Sequence, residues 1–265
     1  MRSTTDGAAA PSQTAQRVAA LRLTFARLGH AGGDPAADDR LAAAVASFGA
    51  IAPAAMPASE YALQLREHLA RRTLFFDQFV VDALADGTTQ IVIVGAGYDG
   101  RAMRYASPGA TFYEIDHPDT QAHKLQLLDE LDLATAPSIE RVAVDLVSGS
   151  AAAALATTSH DPSRPSAVMC EGLAVYLAAV DLDRLLRDLR GCCRDGSRLA
   201  VSFPGGGASS DPSRTWRTPL AEHVAALGEP MLAKIGPDQF GAVLSAAGWT
   251  IDTTASVAPN LFVAV

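Results

Sequence analysis

Gly95, Gly97 and Gly100 stand at G-x-G-x-x-G spacing in QIVIVGAGYDGRAMRY, residues 90–105. A short apolar strand, a glycine turn and a helix, in that order, bring backbone N–H groups and a helix N-terminus close to a ligand where a Cβ would intrude. Asp116 ends the next strand in YEID, nineteen positions after Gly97, where a carboxylate accepts hydrogen bonds from both hydroxyls of a ribose. Asp145 ends a third strand, RVAVDL, and its side chain reaches the same crevice. The chemistry indicated is recognition of an adenosine-bearing ligand with a free ribose. The glycine spacing alone also fits a tight βα turn without a ligand, and each carboxylate alone is equally an N-cap or a loop residue. Three strand ends pointing to one ligand carry the reading.

Those strand ends need a parallel sheet to bring them together. QIVIVGAG is a short continuous apolar run, as expected of a strand covered on both faces. ATFYEIDHP, SIERVAVDL, SAVMCEGLAVYL and SRLAVSF follow it as strands, with helical segments between them. Near the end, PDQFGAVLSAAG reads as a helix with Pro237 in its first turn and Gly248 as its cap, leading into WTIDTTAS and the terminal strand NLFVAV. Strands joined so closely must pair antiparallel, because a parallel crossover needs a dozen residues or more. Ahead of the sheet, TAQRVAALRLTFARLG, DRLAAAVASFGA (with Asp38 or Asp39 as N-cap) and a long run from Glu60 to Gly87 read as helices. The fold class expected is α/β, a Rossmann-like sheet of about seven strands, the last antiparallel, with an N-terminal helical cap. Residues 1–12 read as a disordered tail, 13–88 as the helical cap and 89–265 as the nucleotide-binding domain, with a substrate-covering insertion at about 204–234.

At 265 residues and 49% hydrophobic, the chain supports one large α/β domain with a full core. A net charge of −8 and no basic run beyond Arg71-Arg72 argue against nucleic acid as a partner. Cys170, Cys192 and Cys193 offer neither a disulfide framework nor zinc-ligand spacing, and no histidine and carboxylate group has a metal-binding pattern. With no apolar stretch of membrane-spanning length and no signal-peptide core, the expected location is the cytoplasm.

NAD and S-adenosylmethionine both satisfy the ribose logic. A helical section before the glycine turn and an antiparallel last strand suit a methyltransferase sheet better than a six-stranded NAD sheet. A nicotinamide-dependent oxidoreductase would also need a partner such as Tyr-x-x-x-Lys, and Lys124 and Lys234 have no Tyr four positions before them.

The blocks RRTLFFDQFVVDAL, IVIVGAGYDGRAMRY, FYEIDHPDTQAHK, RVAVDL and CEGLAVYL resemble the leucine carboxyl methyltransferase superfamily, in particular its bacterial branch of S-adenosylmethionine-dependent O-methyltransferases, which includes polyketide-type carboxyl methyltransferases. The resemblance runs from about Thr14 to the GEP and GW segments at Gly228 and Gly248. It implies that Arg72 pairs with the carboxylate of the methionine moiety, a role suited to the guanidinium fork, with Arg22 as a second cation. It further implies Gly95, Ala96 and Gly97 beside the methionine and ribose, Asp116 on the ribose hydroxyls, Asp145 and Leu146 at the adenine, Glu171 beside the cofactor and Tyr176 toward the substrate. The pattern departs from the family at Tyr98 and Gly100, where Leu and Thr are common, so the third glycine of the apparent dinucleotide motif is a local substitution.

The reaction implied is methyl transfer to an oxygen of a small-molecule acceptor. An ionised carboxylate needs no base; a hydroxyl acceptor would need one, and His117, His123 and His223 are the available imidazoles. The alternatives are an NAD(P)-dependent oxidoreductase and a non-catalytic S-adenosylmethionine-binding module. Neither the acceptor nor the oligomeric state is legible.

Overall fold

In the computed structural model, residues 11–48, 60–133, 138–203, 219–233, 235–255 and 260–265 are described. Three helices come first: α1 (Gln13–Arg22), α2 (Pro35–Phe48) and α3 (Glu60–Ala85). The first is shorter than the apolar pattern suggests, because the chain turns after Arg22 through Thr24 N–H to Leu21 C=O and Phe25 N–H to Arg22 C=O bonds. The second starts earlier than expected. Asp34 accepts from the Ala37 N–H at 3.0 Å and Pro35 takes the first helical position, so Asp38 and Asp39 lie inside the helix rather than capping it. The third ends as expected, with Gly87 at φ +82 beyond its last turn.

The sheet then alternates with helices: β1 (Gln90–Val94), α4 (Arg101–Arg104), β2 (Thr111–Asp116), α5 (Pro118–Glu130), β3 (Ile139–Ala143), α6 (Ala151–Leu155), β4 (Ala167–Cys170), a 3-10 turn (Ala174–Tyr176), α7 (Ala179–Gly191), β5 (Arg198–Ser202), α8 (Pro219–Ala226), a second 3-10 turn (Pro237–Gln239), α9 (Phe240–Ala246) and β6 (Leu261–Ala264). Strand order is β3-β2-β1-β4-β5-β6, parallel except for β6, which runs antiparallel to β5. β1 is buried along its whole length: Val92 and Val94 face a core with α6, α7 and α9, and Ile91 and Ile93 face one with α2, α3 and α5. That two-sided burial is why the strand reads as an unbroken apolar run.

The described residues form six strands rather than seven. The segment expected as the seventh is reduced to one bridge, Ile251 to Ala264. Thr250 and Asp252 still pair with the chain end, through Thr250 N–H to Val265 C=O, Val265 N–H to Thr250 C=O and Asp252 N–H to Val263 C=O at 2.8 Å each. Beyond them Asp252 Oδ1 accepts from Thr254 N–H (2.9 Å) and Thr254 Oγ1–H (2.6 Å), a turn that bends the chain out of the sheet. Residues 1–10 of the expected tail and residues 204–218 and 234 of the expected insertion lie outside the described residues.

The strand order reverses direction between β1 and β4, so their carboxyl ends open a crevice between oppositely directed connections. Residues 95–99 follow β1 there, Asp116 ends β2, and Glu171 follows β4.

Candidate functional site

The glycine turn is tied to its neighbouring strand by Gly95 and Ala96 N–H groups, which donate to Ile115 C=O at 2.9 and 3.1 Å. Gly95 (φ +70) and Gly97 (φ +49) occupy left-handed backbone that a side chain strains. Their space is bounded by protein: a Cβ on Gly95 would lie 3.2 Å from Leu173 Cβ, and one on Gly97 would lie 3.0 Å from Ala15 Cβ of α1. Ala96 is buried in the core. Asp116 faces this turn. Its Oδ2 accepts a short bond from Gly97 N–H and its Oδ1 accepts from His117 N–H at 2.6 Å. Burial holds the Asp116 carboxyl above the usual carboxylate range against the pull of those two donors.

On the other side of the crevice, Glu171 is held by three arginines from three different elements. Arg72 of α3 donates through Nε to Oε1 (3.0 Å), while Arg22 at the end of α1 (3.0 Å) and Arg101 of α4 (2.6 Å) meet Oε2. Arg101 is fully buried and also binds Asp99 (2.5 Å), Asp77 of α3 (2.7 Å) and the Thr73 carbonyl (2.9 Å). Burial alone would raise the carboxyls of Asp99 and Glu171, but Arg101 and Arg22 outweigh it and hold both below their ordinary range, Glu171 far below. Both are carboxylates at neutral pH. The ion pairs continue outward, Asp77 to Arg27 (2.6 Å), Arg27 to Asp38 of α2 (3.1 Å) and Asp38 to Arg104 (2.5 Å), so the helical cap is wired to the site.

Arg72 is engaged through Nε alone among the described residues, which leaves its two terminal nitrogens, packed over Gly172, as open donors. Nearby polar atoms are also unmatched. Arg17 Nε and Arg22 Nε on α1 and Thr73 Oγ1 on α3 are buried without a hydrogen-bond partner among the described residues. Each such atom costs about 1–3 kcal/mol if it stays unpaired. A zwitterionic ligand with a carboxylate and a ribose fits this donor and acceptor set: guanidinium N–H groups on one side of the crevice, a carboxylate on the other.

The expected site residues therefore fall into groups. Arg22, Arg72 and Glu171 are in direct contact, and Gly95, Ala96, Gly97 and Asp116 form one bonded turn. Asp145 lies just past β3 and is turned onto its own loop, accepting from Val147 N–H (2.9 Å) and Ser148 Oγ–H (2.8 Å); these bonds lower its pKa. Leu146 is buried in the core on the α6 and α7 side. Tyr176, half-buried in the 3-10 turn after β4, has its hydroxyl pKa raised by burial with Glu229 nearby, so it is a neutral phenol at neutral pH. His117 is exposed and caps α5, its Nδ1 accepting from Asp119 N–H at 3.4 Å. Tyr98, which replaces the family's usual Leu, is buried and bonds His123 Nδ1 at 2.5 Å. The described part of His223 is backbone only.

Gly100 does not face the crevice. A Cβ there would sit 1.9 Å from Asp38 Oδ1, so the glycine admits the carboxylate of α2 that Arg27 and Arg104 share. Asp99, Arg101 and Asp77 were not among the expected site residues. The available signal was the D-x-R spacing of Asp99 and Arg101, directly after the glycine turn. Among the described residues there is no metal-binding cluster of His, Cys, Asp or Glu, and no helix long and apolar enough to cross a membrane.

Residues 17–190 match the leucine carboxyl methyltransferase family. A Mycobacterium bovis (strain BCG / Pasteur 1173P2) protein named "Putative S-adenosyl-L-methionine-dependent methyltransferase" is 42% identical over 136 residues, 51% of this chain and 45% of that protein. A Mycobacterium avium (strain 104) protein of the same name is 36% identical over 203 residues, 72% of this chain and 63% of its own length. The chain thus spans about half to two thirds of these relatives. Among solved structures, a methyltransferase named as putative from Thermobifida fusca YX superposes with a TM-score of 0.56 at 15% identity, covering 96% of this chain and 94% of that one. A DUF574 family protein from Streptomyces avermitilis MA-4680 superposes equally well, with a TM-score of 0.56 at 17% identity and 96% of both chains covered. At these identities the two structures establish the shared fold. With two thirds of its length matched by the family pattern, and with the glycine turn, Asp116, Arg72 and Glu171 all inside the match, the chain belongs to the leucine carboxyl methyltransferase family.

Proposed function

We propose that the protein is an S-adenosylmethionine-dependent O-methyltransferase acting on a carboxylate or hydroxyl oxygen of a small-molecule acceptor of the secondary-metabolite type. The observation that carries the reading is the pair of groups at the strand ends: the Asp116 carboxylate bonded to the glycine turn, and the Arg72 guanidinium held through Nε by Glu171 with its terminal nitrogens unengaged among the described residues. Family membership and the names of the mycobacterial relatives support the choice of nucleotide. When bound, the cofactor supplies a methyl group activated by a positively charged sulfonium.

The protein's part is binding, alignment and exclusion of water. Arg72 receives the methionine carboxylate through its two free nitrogens, while Glu171 fixes Nε and hence the plane of the fork. Arg22 adds a second cation from α1. Asp116 exchanges its Gly97 contact for the ribose hydroxyls, with Gly95, Ala96 and Gly97 forming the wall of that subsite. Asp145 and Leu146 border the adenine. Tyr176 donates its phenolic hydrogen toward the acceptor, since its raised pKa makes it a donor and not a base. A carboxylate acceptor is already ionised at neutral pH; for a hydroxyl acceptor His117 is the imidazole adjoining Asp116.

Isothermal calorimetry with purified protein tests the nucleotide. S-adenosylhomocysteine is expected to bind and NAD and NADP to give no heat; heat from NAD with none from S-adenosylhomocysteine overturns the assignment.

A further inference from the structure

Helix α1 is fastened at both ends. Its last residue, Arg22, pairs with Glu171 and Asp99. At its amino terminus Ser12 N–H donates to Thr120 Oγ1 at 3.2 Å, and the remaining fastening comes from a residue more than two hundred positions away. Glu229 Oε1 accepts from Gln13 N–H (2.7 Å) and Thr14 N–H (3.4 Å), and Oε2 accepts from Ser12 Oγ–H (3.0 Å). No acidic residue stands in the first turn of α1, so Glu229 supplies the negative charge that unpaired first-turn N–H groups and the helix dipole favour. Its position is set by the end of α8: Gly228 takes φ +80, and Glu229 N–H donates to Val224 C=O at 3.0 Å. The chain beyond is pinned beside Tyr176, where Leu232 and Ala233 N–H groups both donate to Val175 C=O. Between its two fastenings α1 lies on the glycine turn so closely that a Cβ on Gly97 would press on Ala15.

A nucleotide seated against Gly97 therefore requires the Ala15 end of α1 to lift. Arg22 is tied into the buried ion-pair network, whereas the Glu229 contacts are half-buried or exposed, so the amino end is the one that yields. We propose that Glu229 is a positioning residue, a carboxylate latch that closes α1 over the crevice and whose release admits and discharges the nucleotide. This rests on the reading of the crevice as an S-adenosylmethionine site.

The test compares Glu229→Ala and Glu229→Gln with the parent and with Glu222→Ala, a change at an exposed carboxylate on α8. Hydrogen exchange in the ligand-free full chain is read for the α1 peptide, and stopped-flow is read for S-adenosylhomocysteine. With Glu229→Ala, α1 should exchange about ten-fold or more faster while β1 and β4 keep their protection. Association and dissociation of the ligand should both accelerate. Glu229→Gln, which keeps an acceptor oxygen without the charge, should fall between, and Glu222→Ala should match the parent. Unchanged α1 exchange, or faster exchange spread evenly over the chain, overturns the latch; faster α1 exchange with unchanged ligand rates overturns the gating. Should the parent bind no S-adenosylhomocysteine, the nucleotide reading fails, and the exchange data alone decide whether Glu229 fastens α1.

Discussion

Two buried ionic clusters flank the glycine turn, and they differ in how completely they are closed. In the first, Lys124 Nζ, fully buried, binds Glu114 Oε2 at 2.8 Å and the Asp99 carbonyl at 2.7 Å, and Arg141 meets the same Glu114 oxygen at 2.9 Å. In the second, Arg22, Arg72 and Arg101 surround Asp99 and Glu171, yet the ends of Arg72 and the Nε of Arg22 are left without protein partners among the described residues. A cluster that satisfies itself is scaffold, here fastening α5 to β2 and to the turn. A cluster that carries the cost of buried charge and still holds unused donors among the described residues is the one we propose receives the ligand.

The comparison predicts opposite phenotypes. Lys124→Ala should give the largest effect, and on stability: Glu114 is left with Arg141, the Asp99 carbonyl loses its donor, and a cavity opens in place of a fully buried side chain. The cost should approach the ~3–5 kcal/mol typical of breaking a buried ion pair. Chemical denaturation should show that loss, while whatever fraction remains folded binds S-adenosylhomocysteine near the parent affinity. A variant as stable as the parent would show that the first cluster does not hold the fold.

Arg72→Ala should do the reverse. Glu171 keeps Arg22 and Arg101, so stability changes little, but S-adenosylhomocysteine should weaken by about 2–5 kcal/mol because its carboxylate loses a buried charged partner. Methylthioadenosine, which lacks that carboxylate, should bind nearly as before. Arg72→Lys should rescue only in part, since a point charge does not reproduce the fork. Equal losses for both ligands would assign Arg72 to the fold.

Asp116 gives the smallest and most specific effect. Removing it should weaken S-adenosylhomocysteine by about 1–3 kcal/mol, and methylthioadenosine by as much, since both carry the ribose. Its raised pKa adds a sign that calorimetry reads. In the proposed site the ribose hydroxyls bind the carboxylate, so the ligand pulls the pKa down and binding releases protons between the bound and free values. Proton release should be seen on the alkaline side of the ordinary Asp range and be absent in Asp116→Ala. On the stability side, a raised carboxyl favours the fold below the unfolded pKa, and that contribution fades as pH rises through the folded one. Proton uptake on binding would contradict the ribose role.

Much of the sheet was legible because both of its faces are buried. Gln90–Val94, Ala167–Cys170 and Arg198–Ser202 are short apolar runs for the same reason that they are central strands, and Gly87 and Gly248 mark helix ends because only glycine adopts their backbone freely. The strand that failed, around Ile251, was undone by a side chain: Asp252 bonds its own loop, which hydrophobic period does not register. Spacing set Gly97 and Asp116 at strand ends facing one ribose-bearing ligand, and in the structure they touch each other. The family resemblance selected Arg72 and Glu171, but not that each binds the other.

What the sequence determined by itself is the order of strands and helices, the glycine turn and the carboxylate that follows it, since these depend on local backbone freedom and on a repeating pattern of burial. What tertiary structure alone decided is which charges meet. Arg101 reaches Asp77 and Glu171, Asp38 occupies the space that Gly100 leaves, and Glu229 closes on the first turn of α1. A charged side chain carries no mark of its partner in the sequence, because any carboxylate suits any guanidinium. Only the packing of apolar faces brings one of each together out of water, where the pair must be matched or remain unsatisfied.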